Sequence, residues 1–161
     1  MKINKIGIVS KFGSKKSENA AKKIARKMLK MRSTVYTISP VLVTGAKQLD
    51  SLDDLKKVKL DLVITLGGDG TTLRTFRNLE NETPLLAINV GGNRGILSEI
   101  YLNEVDNAIQ CMKKNKVWLD KRKRVVASCN GVQFQPALNE IYVNRKNLTK
   151  TAEFETKFQN D

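Results

Sequence analysis

"LDLVITLGGDGTTLRTF", residues 60–76, runs an apolar segment into three glycines around one aspartate, then into two threonines and an arginine. The first part, from Leu60 to Leu66, is apolar at nearly every position, which suits a strand covered on both faces. "TPLLAINV" (83–90) has the same character and reads as the next strand. Between them "TTLRTFRNLE" (71–80) reads as a short helix carrying Leu73, Phe76 and Leu79. Strand, helix and strand, with the strands continuously apolar, predict a parallel sheet with helices on its faces.

The flanking sequence agrees. "NKIGIVS" (4–10) is a short buried strand, and from Ser17 the residues Ala21, Ile24, Ala25, Met28 and Leu29 recur at helical spacing opposite lysines and arginines. "STVYTIS" (33–39) is β-branched and aromatic, a strand ending at Pro40, and a short helix is expected after Ser51. A further helix begins at Asn103, with Asn103 as its cap and Val105, Ala108, Ile109 and Met112 as its apolar face. The fold class is therefore α/β, a Rossmann-like doubly wound parallel sheet, over residues 1–120.

From Lys121 the pattern changes. "RVVASCNGVQFQPALNEIYVNR" sets an Asn130-Gly131 turn between two β-rich runs, and "AEFETKFQ" (152–159) alternates with Phe154 and Phe158 on one face. Residues 121–161 thus read as the first strands of an all-β domain whose aromatic face needs more chain, or a partner, to cover it.

Composition narrows the chemistry. There is no histidine, and Cys111 and Cys129 lie far apart, so a zinc site, a His-based triad and a disulfide framework are all disfavoured and a reducing cytoplasm is expected. No apolar run approaches the roughly 20 residues that span a bilayer, and "MKINKIGIVSKFG" does not resemble a signal peptide. The net charge of +13 fits a nucleic-acid surface, a funnel for polyanionic small molecules, or merely a lysine-rich solvated face. Few aromatics interleave with the basic clusters, as stacking on single strands would want, and charge alone does not choose among these; nucleic acid is not the expected partner.

Ligands of an open parallel sheet bind beyond the carboxyl ends of its strands. "GGDG" follows one such end: Gly67, Gly68 and Gly70 admit positive φ and bring backbone N–H groups close to a phosphate, with Thr71 following. Asp69 can accept a hydrogen bond from a sugar hydroxyl and take its proton as the oxygen attacks phosphorus, while Arg74 steadies phosphate charge. The plainer alternative is a strand-to-helix turn capped by Asp69. "INVGGNRGILSEI" (88–100) places Gly91, Gly92, Asn93 and Gly95 after the next strand, so both loops face one crevice. In "ALNEIYVNR" (137–145), Asn139 and Glu140 interrupt a strand; they could hold an adenine edge or a ribose diol, or simply be solvated edge residues. Neither a P-loop nor a G-x-G-x-x-G fingerprint is present.

"GGDGTTLRTF", "INVGGNRGILSEI" and "ALNEIYV", in this order and at these separations, resemble the NAD kinase family, and the resemblance runs over essentially the whole chain. It implies an α/β domain and an all-β domain with the active site between them. The implied reaction carries the γ-phosphoryl group of ATP, or of polyphosphate, to the 2′-hydroxyl of the adenosine ribose of NAD, with Mg2+ or a similar divalent metal. It further implies Asp69 as proton acceptor and NAD contacts from Asp69, Gly70, Arg74, Asn139, Glu140 and Lys150. A homo-oligomer, dimer or tetramer, and a cytoplasmic location complete the expectation. Members of the family continue with a Thr/Ser/Gly-rich stretch and an aspartate, and nothing of that kind follows Lys150, so a longer enzyme is expected. The rival readings are a lipid kinase of the diacylglycerol or sphingosine type, whose Asn-Glu pair follows its Gly-Gly-Asp-Gly core much sooner, and a non-catalytic nucleotide- or nucleic-acid-binding module.

Overall fold

Strand β1 (Lys5–Ser10) comes first in the computed structural model, which describes residues 3–79, 83–92, 95–145, 147, 149–151 and 153–157. Helix α1 (Lys15–Lys30), strands β2 (Thr34–Ile38), β3 (Lys47–Leu49) and β4 (Leu62–Gly67), helix α2 (Asp69–Phe76), strands β5 (Leu85–Asn89) and β6 (Ile100–Tyr101), and helix α3 (Val105–Lys113) follow. The six strands form one sheet in the order β3-β2-β1-β4-β5-β6. Every neighbouring pair is parallel, as expected for a doubly wound sheet. This order reverses its winding between β1 and β4, where the two diverging connections leave a crevice at the carboxyl ends.

Both faces of the sheet are covered, which explains the continuous apolar strands. Ile6, Ile8, Leu62, Ile64, Leu66 and Ile88 pack with Ala20, Ala21, Ile24, Ala25 and Met28 of α1 and with Val105 and Ile109 of α3. Val9, Val63, Leu60, Leu55 and Leu79 build the opposite layer. Each fully buried aliphatic side chain contributes about 1.5–3 kcal/mol, so the alternation of strand residues between the two layers fixes the register. Helix α1 starts before the apolar periodicity does, because the Ser14 hydroxyl accepts from Ser17 N at 3.3 Å and sets its cap.

Three local expectations change. β3 and β6 were not foreseen, being edge strands of three and two residues with little apolar content. A 3-10 turn, Leu102–Glu104, precedes α3, and the Glu104 carboxylate accepts from Tyr101 N at 2.7 Å, so Glu104 rather than Asn103 organises that start. On α2 the fully buried residues are Thr72 and Thr75, while Leu73 and Phe76 are only half-buried.

The chain divides into two compact units, residues 1–122 and 123–161. In the second, β7 (Ser128–Cys129) and β8 (Val132–Gln133) pair antiparallel around Asn130 and Gly131, whose φ values of 51° and 77° are those a two-residue hairpin turn requires. Val125 and Ala137 continue the ladder, each N–H donating to the other's carbonyl at 2.8 Å. Residues 138–145 and 153–157 form no strand, contrary to the pattern of alternation. A strand needs a neighbour for its N–H groups, and no described residue of this unit supplies one there. Ala152, Phe158 and Gln159 of the expected last strand lie outside the described residues.

Candidate functional site

The apolar run of β4 stops at Gly67, and Gly68, in an extended conformation, caps α2 so that Asp69 is the first helical residue. The helix is pinned to the strand it leaves. The buried hydroxyls of Thr65 and Thr72 share a hydrogen bond of 3.2 Å across to the strand, while Thr75 Oγ1 donates within the helix to the Thr71 carbonyl at 2.8 Å. With Thr72 and Thr75 turned to the sheet, Gly68, Gly70 and Arg74 lie exposed.

Asp69 does not cap its own helix. Its Oδ2 accepts from Ile96 N at 2.9 Å and its Oδ1 from Leu97 N at 3.2 Å, across to the second glycine-rich loop. Gly95 makes this approach possible: a Cβ there would stand 2.0 Å from Oδ1 and 2.3 Å from Cγ. The two loops read separately from the sequence are therefore joined at one carboxylate. Each oxygen has a second lone pair, so Asp69 keeps acceptor capacity for a ligand hydroxyl.

The glycines serve differently from the expectation. Positive φ occurs at Gly91 (150°) and Gly92 (85°) but not at Gly67, Gly68, Gly70 or Gly95. Gly67 is required for space, since a Cβ would meet Thr71 Oγ1 at 2.5 Å and Lys11 Cβ at 3.1 Å. Gly68 and Gly70 face open space: apart from their chain neighbours and the backbone of α2, no atom of a described residue lies within 4 Å of where a side chain would begin. Asn89, buried at the end of β5, shapes the second loop by accepting from Gly91 N at 2.8 Å. Asn93, with Arg94, lies outside the described residues.

A cleft of about 260 Å³ opens at the β1–β4 crevice, lined by Lys11, Ser14, Lys16, Ser17, Gly67, Gly68, Val90, Gly91 and Gly92. The sequence reading assigned no role here to Lys11, Ser14, Lys16 or Ser17, because scattered lysines look like ordinary surface. The signal that finds them is topological: Lys11 follows β1 directly, beside the carboxyl end of β4, and Lys11 N donates to the Leu66 carbonyl at 2.8 Å.

Of the second unit's candidates, Asn139 and Glu140 are exposed just beyond Ala137. The Tyr142 hydroxyl donates a hydrogen bond to Glu140, and that bond, together with the carboxylate's charge, raises the phenol above its ordinary pKa. Lys150 is exposed, and its carbonyl accepts from the Arg145 guanidinium at 2.9 Å. Among the described residues no cluster of three or more His, Cys, Asp or Glu stands ready for a metal, and no helix is long and apolar enough to cross a membrane.

An open parallel sheet with two glycine-rich loops converging on one acid at its carboxyl edge defines a nucleotide-binding α/β domain. The family model described as the ATP-NAD kinase N-terminal domain matches residues 6–117. The chain belongs to the NAD kinase family. It is 32% identical over 111 residues to the NAD kinase of Thermoplasma acidophilum, covering 68% of this chain and 40% of that protein. To the NAD kinase of Methanothermobacter thermautotrophicus it is 29% identical over 153 residues, 94% of this chain and 53% of that one. The chain thus spans about half, or less, of the length of these relatives. The fold is that of yeast NADH kinase complexed with NADH, with a TM-score of 0.71 at 18% identity over 85% of this chain and 47% of that one.

Proposed function

We propose that this chain carries the nucleotide-binding part of an NAD kinase that transfers the γ-phosphoryl group of ATP to the 2′-hydroxyl of the adenosine ribose of NAD, giving NADP. The observation that carries the reading is the placement of Asp69, held by two backbone N–H groups of the opposite loop while Gly68 and Gly70 leave open space beside it. In the proposed step the ribose hydroxyl donates to Asp69 and passes its proton there as its oxygen bonds to the γ-phosphorus. The bond from that phosphorus to the bridging oxygen breaks, and ADP leaves. The free N–H groups of the first turn of α2 and the Arg74 guanidinium stabilise the phosphate charge.

Asn139 and Glu140 are assigned to the adenosine of NAD and Lys150 to a further basic contact, with Gly70 beside the dinucleotide. Residues 1–120 form the nucleotide-binding domain in this reading, and residues 121–161 begin an all-β domain. A divalent metal accompanying the triphosphate would be held by phosphate oxygens and water and would neutralise charge on the transferring group. A cytoplasmic homo-oligomer, dimer or tetramer, belongs to the same reading. The separation of Asp69 from Asn139 and Glu140 in sequence favours it over a lipid kinase. The test is NADP formation from NAD and Mg-ATP by the full-length gene product, read with an NADP-specific dehydrogenase. Steady NADP production supports the reading, and its absence with NAD saturating overturns it.

A further inference from the structure

Asn89 closes β5 with a polar side chain after four apolar residues, and it is 1% exposed. Burying an amide is costly unless its hydrogen bonds are made, and a leucine, branched at the same atom, would fill the place without that cost. The backbone of Asn89 pairs with Gly67 on one side and with Tyr101 on the other. Gly67 leads into the first loop and Tyr101 follows the second, so both loops are rooted at this residue. The side chain then turns the second loop at its start, where Oδ1 accepts from Gly91 N at 2.8 Å and φ of Gly91 is 150°. At the loop's far end Glu99 N donates to the Ala87 carbonyl at 3.0 Å. Between these two ties the loop presents Ile96 N and Leu97 N to the Asp69 carboxylate. Hydrogen bonds weaken steeply with misalignment, so an error in the loop's course at Gly91 would be felt at Asp69.

We propose that Asn89 is a positioning residue for the phosphoryl transfer. Its bond to Gly91 N sets the course of the second loop, and through Ile96 N and Leu97 N it sets the direction in which Asp69 meets the ribose hydroxyl. The inference rests on the kinase reading above and deepens it by naming what aims the proton acceptor. Asn89 is buried and acts through the loop, while Asp69 is the group that meets substrate. Gly91 and Gly92 bend at positive φ and lack side chains to limit them, so the loop has other courses open to it once the Oδ1 acceptor is gone. The loss would fall on the aim of Asp69 before it fell on the sheet, because the parallel ladder through Leu85–Asn89 needs only backbone groups.

The test is Asn89→Leu in the full-length gene product, read by steady-state NADP formation and by amide exchange followed with NMR. The leucine keeps the branched shape and removes the acceptor. The value of kcat should fall by about a hundredfold, as for a reacting group misplaced by about 1 Å, with KM for NAD and for ATP within about threefold. The Ile96 and Leu97 amides should exchange about tenfold faster, while those of Leu62–Leu66 keep their protection. Asn89→Ala removes the same acceptor with less bulk and serves if leucine prevents folding. Added to Gly95→Ala, which already displaces the carboxylate, Asn89→Leu should cost no more than about threefold further. Thr37→Val deletes a buried polar group on β2, which carries neither loop, and should leave kcat and both amides unchanged. The proposal is overturned if kcat stays within about twofold of wild type, if the two amides keep their protection, if both KM values rise in step with the loss of turnover, or if the losses of Asn89→Leu and Gly95→Ala multiply. NADP formation separates the two claims. A wild-type protein that makes no NADP sinks the kinase reading, and the exchange rates alone then decide whether Asn89 aims Asp69. Turnover in the wild type, with both amides unmoved in the variant, spares the kinase reading and sinks the positioning role.

Discussion

The carboxylate of Asp69 occupies the space that a side chain at Gly95 would fill, with Oδ1 standing 2.0 Å from the position of an added Cβ. Gly95 has no left-handed backbone to explain its type. What excludes other residues is the acid itself, drawn in by the N–H groups of Ile96 and Leu97.

Gly95→Ala should therefore act on the site more than on the fold. The methyl group must push the carboxylate off both N–H donors, and misplacing a reacting group by about 1 Å costs about a hundredfold in rate. Stability should move by no more than about 1 kcal/mol, since alanine also removes freedom from the unfolded chain. Turnover assays paired with urea unfolding check this; turnover within about twofold of wild type would show that Gly95 does not position Asp69.

Acid should weaken the first unit through two carboxylates at its edges. Asp61 Oδ2 accepts from Asn4 N and Lys5 N, both at 2.8 Å, and these bonds hold its pKa below the ordinary value. The bonds from Lys57 and Ser51 hold Asp54 at about 2. Both folded values are depressed, so the stability they contribute is full above the ordinary carboxylate range and is lost as pH falls through the folded values. Urea midpoints should fall from pH 5 toward pH 2, and Asp61→Asn should flatten that decline and cost about 1 kcal/mol at neutral pH. An unchanged acid slope in the variant would contradict the assignment.

Asn139→Ala should weaken NAD binding more than ATP binding, because the amide is assigned to the dinucleotide alone. A loss of about tenfold for NAD, with ATP within about twofold, is the expected calorimetric result. Equal losses for both nucleotides would remove Asn139 from that role.

The sheet was legible because its central strands are almost continuously apolar: Leu62–Leu66 is buried throughout and Leu85–Asn89 from Ala87 on, and Asn130-Gly131 marks its hairpin unaided. The edges were not, since Lys47–Leu49 and Ile100–Tyr101 owe their state to a neighbour's backbone and carry no pattern of their own. Asp69 stood out by sitting bare among glycines, but its partners did not. Gly95 reads in the sequence as one more glycine of a loop facing the crevice, and only the fold shows that its missing side chain is the point. Lys11 and Lys16 were lost among the chain's 29 basic residues until the strand order put them in the crevice. The alternation at 152–159 promised a strand, yet among the described residues of its unit none pairs with residues 153–157.

The most direct test is Asp69→Asn in the full-length gene product, assayed for NADP formation and NAD affinity together. The amide keeps the shape and one acceptor oxygen but cannot take the ribose proton. Turnover should fall by about a thousandfold or more while NAD affinity stays within about threefold. Wild-type turnover in that variant would contradict the account, whatever happens to binding.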